Sequence, residues 1–166
     1  MMWWGVLGYF GFYFFLVFGT IVSLNLIFKR NKISFRESLD LVDLPIVTFK
    51  NNNIKLNFLL DTGSNVSYIN KEVLSQLQYE PTNKIDQFMG ASGEVQLVNV
   101  IKMSLLYKDK KDYIEQFSIA DLSKAFDAIK SENGVTIHGI LGNSFFLTYG
   151  YILDFEEKSF YNRRLK

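Results

Sequence analysis

The chain has 166 residues, 48% hydrophobic, 16% aromatic and 21% charged, with a formal net charge of +1. That apolar share is too large for a disordered chain, and the charge balance gives no bulk electrostatic case for nucleic-acid binding. Zero cysteines exclude a disulfide scaffold, a thiolate metal site, an iron–sulfur cluster and a cysteine nucleophile.

Residues 1–28 contain no charged side chain. About 20 helical residues at 1.5 Å each cross a ~30 Å hydrocarbon core, so this run predicts a transmembrane helix. Trp3 and Trp4 stand at one end, where aromatic rings favour the interface, and Lys29, Arg30, Lys32 and Arg36 follow the other. A cleaved signal peptide fits poorly, because there is no basic start and no small-x-small cleavage site. Aromatic residues all round the helix argue against a buried core helix. The positive flank places the rest of the chain in the cytoplasm, as a single-pass membrane protein. Gly5, Gly8 and Gly11 lack the four-residue spacing of a helix-dimer motif.

Residues 29–43 read as a polar juxtamembrane connector with room for a short amphipathic element. Residues 44–166 read as a β-rich domain. Leu44–Phe49 predicts a strand with Pro45 near its start, Asn51–Asn53 a turn, and Ile54–Leu60 a strand that becomes wholly apolar as it enters a core. Val66–Ile69 predicts a third strand, followed by a short helix over Lys71–Leu77 with Asn70 as its cap. Hairpins are expected around Gly90–Gly93 and at the charged run Lys108–Asp112, the latter a solvated tip. A helix over Leu122–Ser131 ends near Gly134, and Val135–Leu141 and Tyr149–Phe155 are again strand-like. Many short strands with turns between them predict an all-β barrel or sandwich.

Asp61-Thr62-Gly63-Ser64 carries the chemistry. A carboxylate straight after the buried pair Leu59-Leu60 sits at the edge of a core, where it is expensive unless hydrogen-bonded or charge-shared. Gly63 allows close approach or positive φ, and Thr62 and Ser64 add hydroxyls. On these four residues alone, a plain turn is an equal reading. Ser64 is not in a nucleophile elbow, no phosphate loop is present, and His138, the only histidine, has no second histidine with which to form a metal pair. No cofactor or metal is expected.

The wider pattern F-L-L-D-T-G-S-N-V-S-Y-I resembles the active-site strand and loop of retropepsin-like aspartic proteases. Phe88-Met89-Gly90-Ala91-Ser92-Gly93-Glu94 is similar to the family's flap hairpin. Gly139-Ile140-Leu141-Gly142 is similar to its apolar-apolar-Gly motif, with a short helix following. Tyr151–Phe155 resembles the closing strand, and the resemblance runs from about Leu44 to Tyr161. His138 departs from the family, whose members often carry Asp there.

The resemblance implies an all-β, retropepsin-like closed barrel (the acid protease fold) with one or two short helices. It also implies an aspartic endopeptidase. One D-T-G cannot make a two-aspartate site, so the active form would be a homodimer giving one Asp61 from each subunit. By the same resemblance Thr62 would bond across the two-fold axis, Gly63 would let the loops meet, and Ser64 would orient the outer carboxylate oxygen. Phe88, Met89, Gly90, Ala91, Ser92 and Gly93 would close over a peptide or protein substrate, and Ile140, Leu141 and Gly142 would support the loop. The competing readings are a non-catalytic peptide-binding barrel and a structural barrel at the membrane.

Overall fold

The computed structural model describes residues 32–90, 93–108 and 111–163. The expected transmembrane segment, residues 1–28, lies outside them. Among the described residues no helix is long and apolar enough to cross a membrane.

The order is α1 (Phe35–Val42), β1 (Ile46–Asn51), β2 (Ile54–Leu60), β3 (Ser67–Asn70), a 3-10 turn (Lys71–Gln76), β4 (Glu80–Met89), β5 (Val95–Tyr107), β6 (Lys111–Ala120), α2 (Ser123–Asn133), β7 (Gly139–Leu141), α3 (Asn143–Tyr149), β8 (Tyr151–Asp154) and β9 (Ser159–Asn162). Six strands close into a ring, β1-β2-β7-β3-β6-β5, with β5 returning to β1. β2–β7 and β3–β6 run parallel, and the other pairings in the ring are antiparallel. β4 has a strand ladder with β5 alone, at the end of the sheet order, so the β4–β5 hairpin reaches out of the ring. The fold is the all-β closed barrel expected.

Alternation explains the barrel locally. Leu56, Phe58 and Leu60 of β2 are buried on one face, and Tyr113 and Phe117 of β6 fill the same interior. Phe49 sits at the centre, with rings of Phe58, Tyr107, Tyr113, Phe145 and Phe160 at centroid distances of 4.9–6.4 Å. Edge-to-face geometry dominates, as the ring quadrupoles favour. The ring closes at one register pair, Lys50↔Leu106. Beside it, the buried Asn51 amide donates to the carbonyls of Ser104 and Gln78, both at 2.9 Å, and its oxygen takes the Gln78 N–H at 2.8 Å.

Several local expectations change. The stretch read as a connector holds α1, capped by a reciprocal Ser34–Glu37 box and packed on the body through buried Ile33 and Phe35. Thr48 hydrogen-bonds both the N–H and the carbonyl of Ile33. Arg36 donates to the Glu157 carbonyl at 2.8 Å, and Lys158 pairs with Asp40. Of its apolar residues, Ile33, Phe35, Leu39 and Val42 carry the packing.

The helix after Asn70 is a 3-10 turn, and Asn70 does not cap it. Its side-chain oxygen accepts instead from Leu122 N at 3.3 Å, across the fold. Of Val135–Leu141 only Gly139–Leu141 is strand. The preceding residues bond the Asn57 side chain and backbone, with Asn57 Nδ2 donating to the Thr136 carbonyl at 2.9 Å. β8 pairs with β9 in a separate two-stranded sheet, and Phe155 lies beyond it. Among the described residues, three α-helices and the 3-10 turn exceed the one or two short helices expected of this domain.

Candidate active site

β2 carries its apolar run to Leu60 and delivers Asp61 at the strand end. Asp61 N–H donates to the Leu141 carbonyl at 3.0 Å, one step beyond the parallel pair Leu60↔Leu141. The carboxylate is therefore fixed by main-chain bonding to β7. Its Oδ1 accepts the Gly63 N–H at 2.9 Å, and its carbonyl accepts the Ser64 N–H at 3.3 Å. Side-chain and backbone turns of this kind are what Asp supports. Asp61 is half-buried, while Thr62 and Gly63 are exposed.

Gly63 has no positive φ, which removes one of its two expected roles. A Cβ there would stand 3.2 Å from Asp61 Oδ1, so its contribution is close approach. The Ser64 hydroxyl donates to the Val66 carbonyl at 2.7 Å, a bond within its own loop. Beside the loop is an open groove of about 590 Å³, lined in part by Leu60, Asp61, Thr62, Phe146, Leu147 and Phe155. Leu147 and Phe155 are both more than half exposed.

Gly139–Leu141 forms β7, between β2 and β3. Ile140 is half-buried between Leu59 and Tyr68, and Leu141 is fully buried. After Gly142 the chain turns back along the Asp61 loop. Asn143 N–H donates to the Ser64 carbonyl at 2.7 Å, and Ser144 N–H donates to the Asn65 carbonyl at 3.2 Å. A Cβ at Gly142 would meet the Val66 carbonyl oxygen at 2.2 Å, so only glycine admits this approach. Gly139 is similarly constrained, by the Tyr68 carbonyl at 2.5 Å.

The flap residues sit at the free end of the β4–β5 hairpin. Phe88 lies edge-on to Tyr68, with centroids 5.3 Å apart, and Met89 is exposed. Gly90 and Gly93 form the turn, with Gly93 N–H donating to the Gly90 carbonyl at 2.9 Å and Gly93 at φ +80°. Ala91 and Ser92 lie outside the described residues.

His138 is structural. Its Nδ1 accepts the Asn57 N–H at 3.0 Å, and its backbone pairs with Asn57 and Asn70. Burial lowers its pKa below the ordinary 6.5, and the Lys130 cation acts in the same sense. The neutral ring therefore adds stability that is complete above about pH 6.5 and is lost as pH falls through the lowered value. Urea midpoints measured from pH 7.5 to 5 are expected to fall for the parent and to fall less for His138→Gln. Parallel curves for the two proteins would refute this.

One buried residue near the site escaped the sequence reading. Glu115 is only 6% exposed, and its Oε1 accepts from Ser67 Oγ at 2.8 Å and Ser144 Oγ at 3.3 Å. The available signal was its register. Tyr113, Glu115 and Phe117 alternate onto one face of β6, which puts an acid at an inward position.

The fold and loop define a class, and comparison with known proteins agrees. The family model described as aspartyl protease matches residues 47–145, more than half of the chain. The chain belongs to the aspartyl protease family. Among solved structures it is similar to the EIAV protease complexed with the inhibitor HBY-793, at 18% identity and a TM-score of 0.46. That match covers 64% of this chain and 88% of the other. It is also similar to a retropepsin-like aspartic protease from Rickettsia conorii, at 18% identity and a TM-score of 0.41, covering 66% of this chain and 74% of the other. No curated protein matches.

Proposed function

We propose that the protein is a membrane-anchored aspartic endopeptidase, active as a homodimer and hydrolysing peptide bonds between two Asp61 carboxylates. The observation that carries this reading is the single D-T-G-S loop. It holds its aspartate by backbone bonds on an exposed rim, where a second copy can bring up the other carboxylate.

Two carboxylates that close cannot both ionise readily, so they share a proton. The ionised Asp61 takes a proton from water as the water oxygen attacks the peptide carbonyl carbon. The protonated Asp61 of the other copy gives its proton to the carbonyl oxygen. The tetrahedral diol then collapses. One hydroxyl gives its proton to the ionised Asp61 as the carbonyl re-forms, the C–N bond breaks, and the departing nitrogen takes the proton held by the other Asp61. In a symmetric dimer the two Asp61 environments are the same, and it is the repulsion between the two charges that splits their titration. Residues 88–93 cover an extended peptide held by main-chain hydrogen bonds, in the manner of an added strand.

The uncharged run 1–28 and the cations Lys29, Arg30, Lys32 and Arg36 support a single membrane span with the protease domain in the cytoplasm. Confinement to a plane raises the effective concentration of subunits for dimerisation. The test is a dilution series of the detergent-solubilised protein against a peptide library. Below the dimer constant, cleavage is expected to rise with the square of protein concentration. Strictly linear scaling down to concentrations where sedimentation shows monomer would overturn the homodimer.

A further inference from the structure

Glu115 is the sole carboxylate residue among the buried polar side chains described, and it stands beside the segments that carry the Asp61 loop. Ser67, its nearer partner, is the first residue of β3, directly after that loop. The Ser67 hydroxyl also accepts the Gly142 N–H at 3.1 Å. Ser144, its second partner, lies in the first turn of α3 and donates its own N–H to Asn65. Glu115 thus ties the outgoing end of the loop to the segment that grips the loop's backbone. β6 also meets β3 through the parallel ladder that starts at Ser67↔Phe117, and α3 through the Tyr149 hydroxyl on the Ile114 carbonyl, but among the described hydrogen bonds Glu115 is the one β6 side chain that bonds both segments.

We infer that Glu115 is a positioning residue for the Asp61 loop, holding Ser67 and Ser144 so that residues 142–144 keep Asp61 in register. Its effect on cleavage rests on the proposed protease function; its effect on the loop does not. Other charged or titratable groups face the same region. Lys84 and Asp86 of β4 line, with Glu115, a cavity of about 450 Å³. Tyr149 of α3 is electrostatically coupled to Glu115, and Asp112 of β6 to Tyr149. Lys84 is hydrogen-bonded to Gln116 and Asp86 to Ser118, so each already has a partner other than Glu115.

Burial pushes the Glu115 carboxyl above its ordinary 4.5, against the lowering effect of the two serine hydrogen bonds. The protonated acid then favours the folded state fully below about pH 4.5, and that contribution is lost as pH rises through the raised value. Glutamine keeps an acceptor oxygen for both serines and cannot ionise; alanine removes the acceptor.

The test uses the full chain in detergent with Glu115→Gln and Glu115→Ala. In the alanine variant, amide exchange at Asp61, Asn143 and Ser144 is expected to accelerate by about tenfold or more, with α1 unchanged. Its kcat is expected to fall roughly 10- to 100-fold with KM little altered, as for a misplaced but intact catalytic group. The glutamine variant is expected to restore both, and its stability advantage over the parent to grow as pH rises above 4.5. Unchanged exchange at the three amides in the alanine variant would overturn the inference, and so would a glutamine variant no better protected than alanine. Should alanine fail to fold, Ser144→Ala, which removes one of the two bonded hydroxyls, takes its place, and unchanged exchange at Asp61 and Asn143 in that variant overturns the inference. A parent that cleaves nothing refutes the proposed protease, while the exchange result still decides the positioning role.

Discussion

Asp61→Asn is expected to abolish peptide cleavage while leaving the fold and the dimer in place. The asparagine side chain retains an oxygen that can accept the Gly63 N–H, now 2.9 Å from Oδ1, so the turn survives. The backbone bond from residue 61 to Leu141 is untouched by the change. What is lost is the group that exchanges protons with water and substrate. Proton transfer by a positioned side chain is worth about 10²- to 10⁴-fold, and removing it from both subunits places the loss at or beyond the upper figure. Peptide turnover by the purified variant is the measurement, and full activity would sink the protease reading. Mixed dimers extend the test. Excess Asp61→Asn subunit should suppress parent activity, because each mixed dimer carries one competent carboxylate.

Gly142→Ala is expected to be the most destabilising single-methyl change near the site. Glycine-to-alanine replacements commonly stabilise by about 0.4–1 kcal/mol where the backbone tolerates them, through the unfolded chain. Here the sign reverses. The new Cβ would lie 2.2 Å from the Val66 carbonyl oxygen, 2.5 Å from its carbon and 3.0 Å from the Ser64 oxygen. All three are backbone atoms, so no rotamer change relieves the clash. Overpacking a core costs about 1–3 kcal/mol when side chains can yield, and a backbone collision exceeds the upper end. Against a typical stability of about 5–15 kcal/mol, such a loss is large. A urea midpoint equal to the parent's would show that the two segments can part without penalty.

The loop was legible because its chemistry is local. Asp61 to Ser64 are adjacent in the chain, and the apolar run before them announces a buried strand. The Gly142 segment was legible for a similar reason, as two apolar residues and a glycine set before a short helix. Glu115 was not, since its meaning depends on Ser67 and Ser144, far away in sequence and brought together by the parallel β3–β6 pairing and α3. The same holds for Asn70. Local rules offered it as a helix cap, while the fold spends its side chain on Leu122. Ser64 differs from these two, since its hydroxyl bonds the Val66 carbonyl only two residues on. α1 is the short amphipathic element for which the connector had room, with Phe35, Leu39 and Val42 on one face; its docking was not legible, because Phe35 and Ile33 acquire their importance only against the β8–β9 hairpin and β1.

The single register pair between β1 and β5 gives the barrel a seam. The ladder is thinnest there, one register pair beside the buried Asn51 amide and the Phe49–Tyr107 ring contact. In the ring order, the strands flanking the Asp61 loop, β2, β7 and β3, lie on the side away from that seam. Parting the wall near Lys50 and Leu106 breaks one register pair, whereas parting it at the β2–β7 ladder breaks three. The fold keeps its thinnest ladder and its Asp61 loop on opposite sides of the same cylinder.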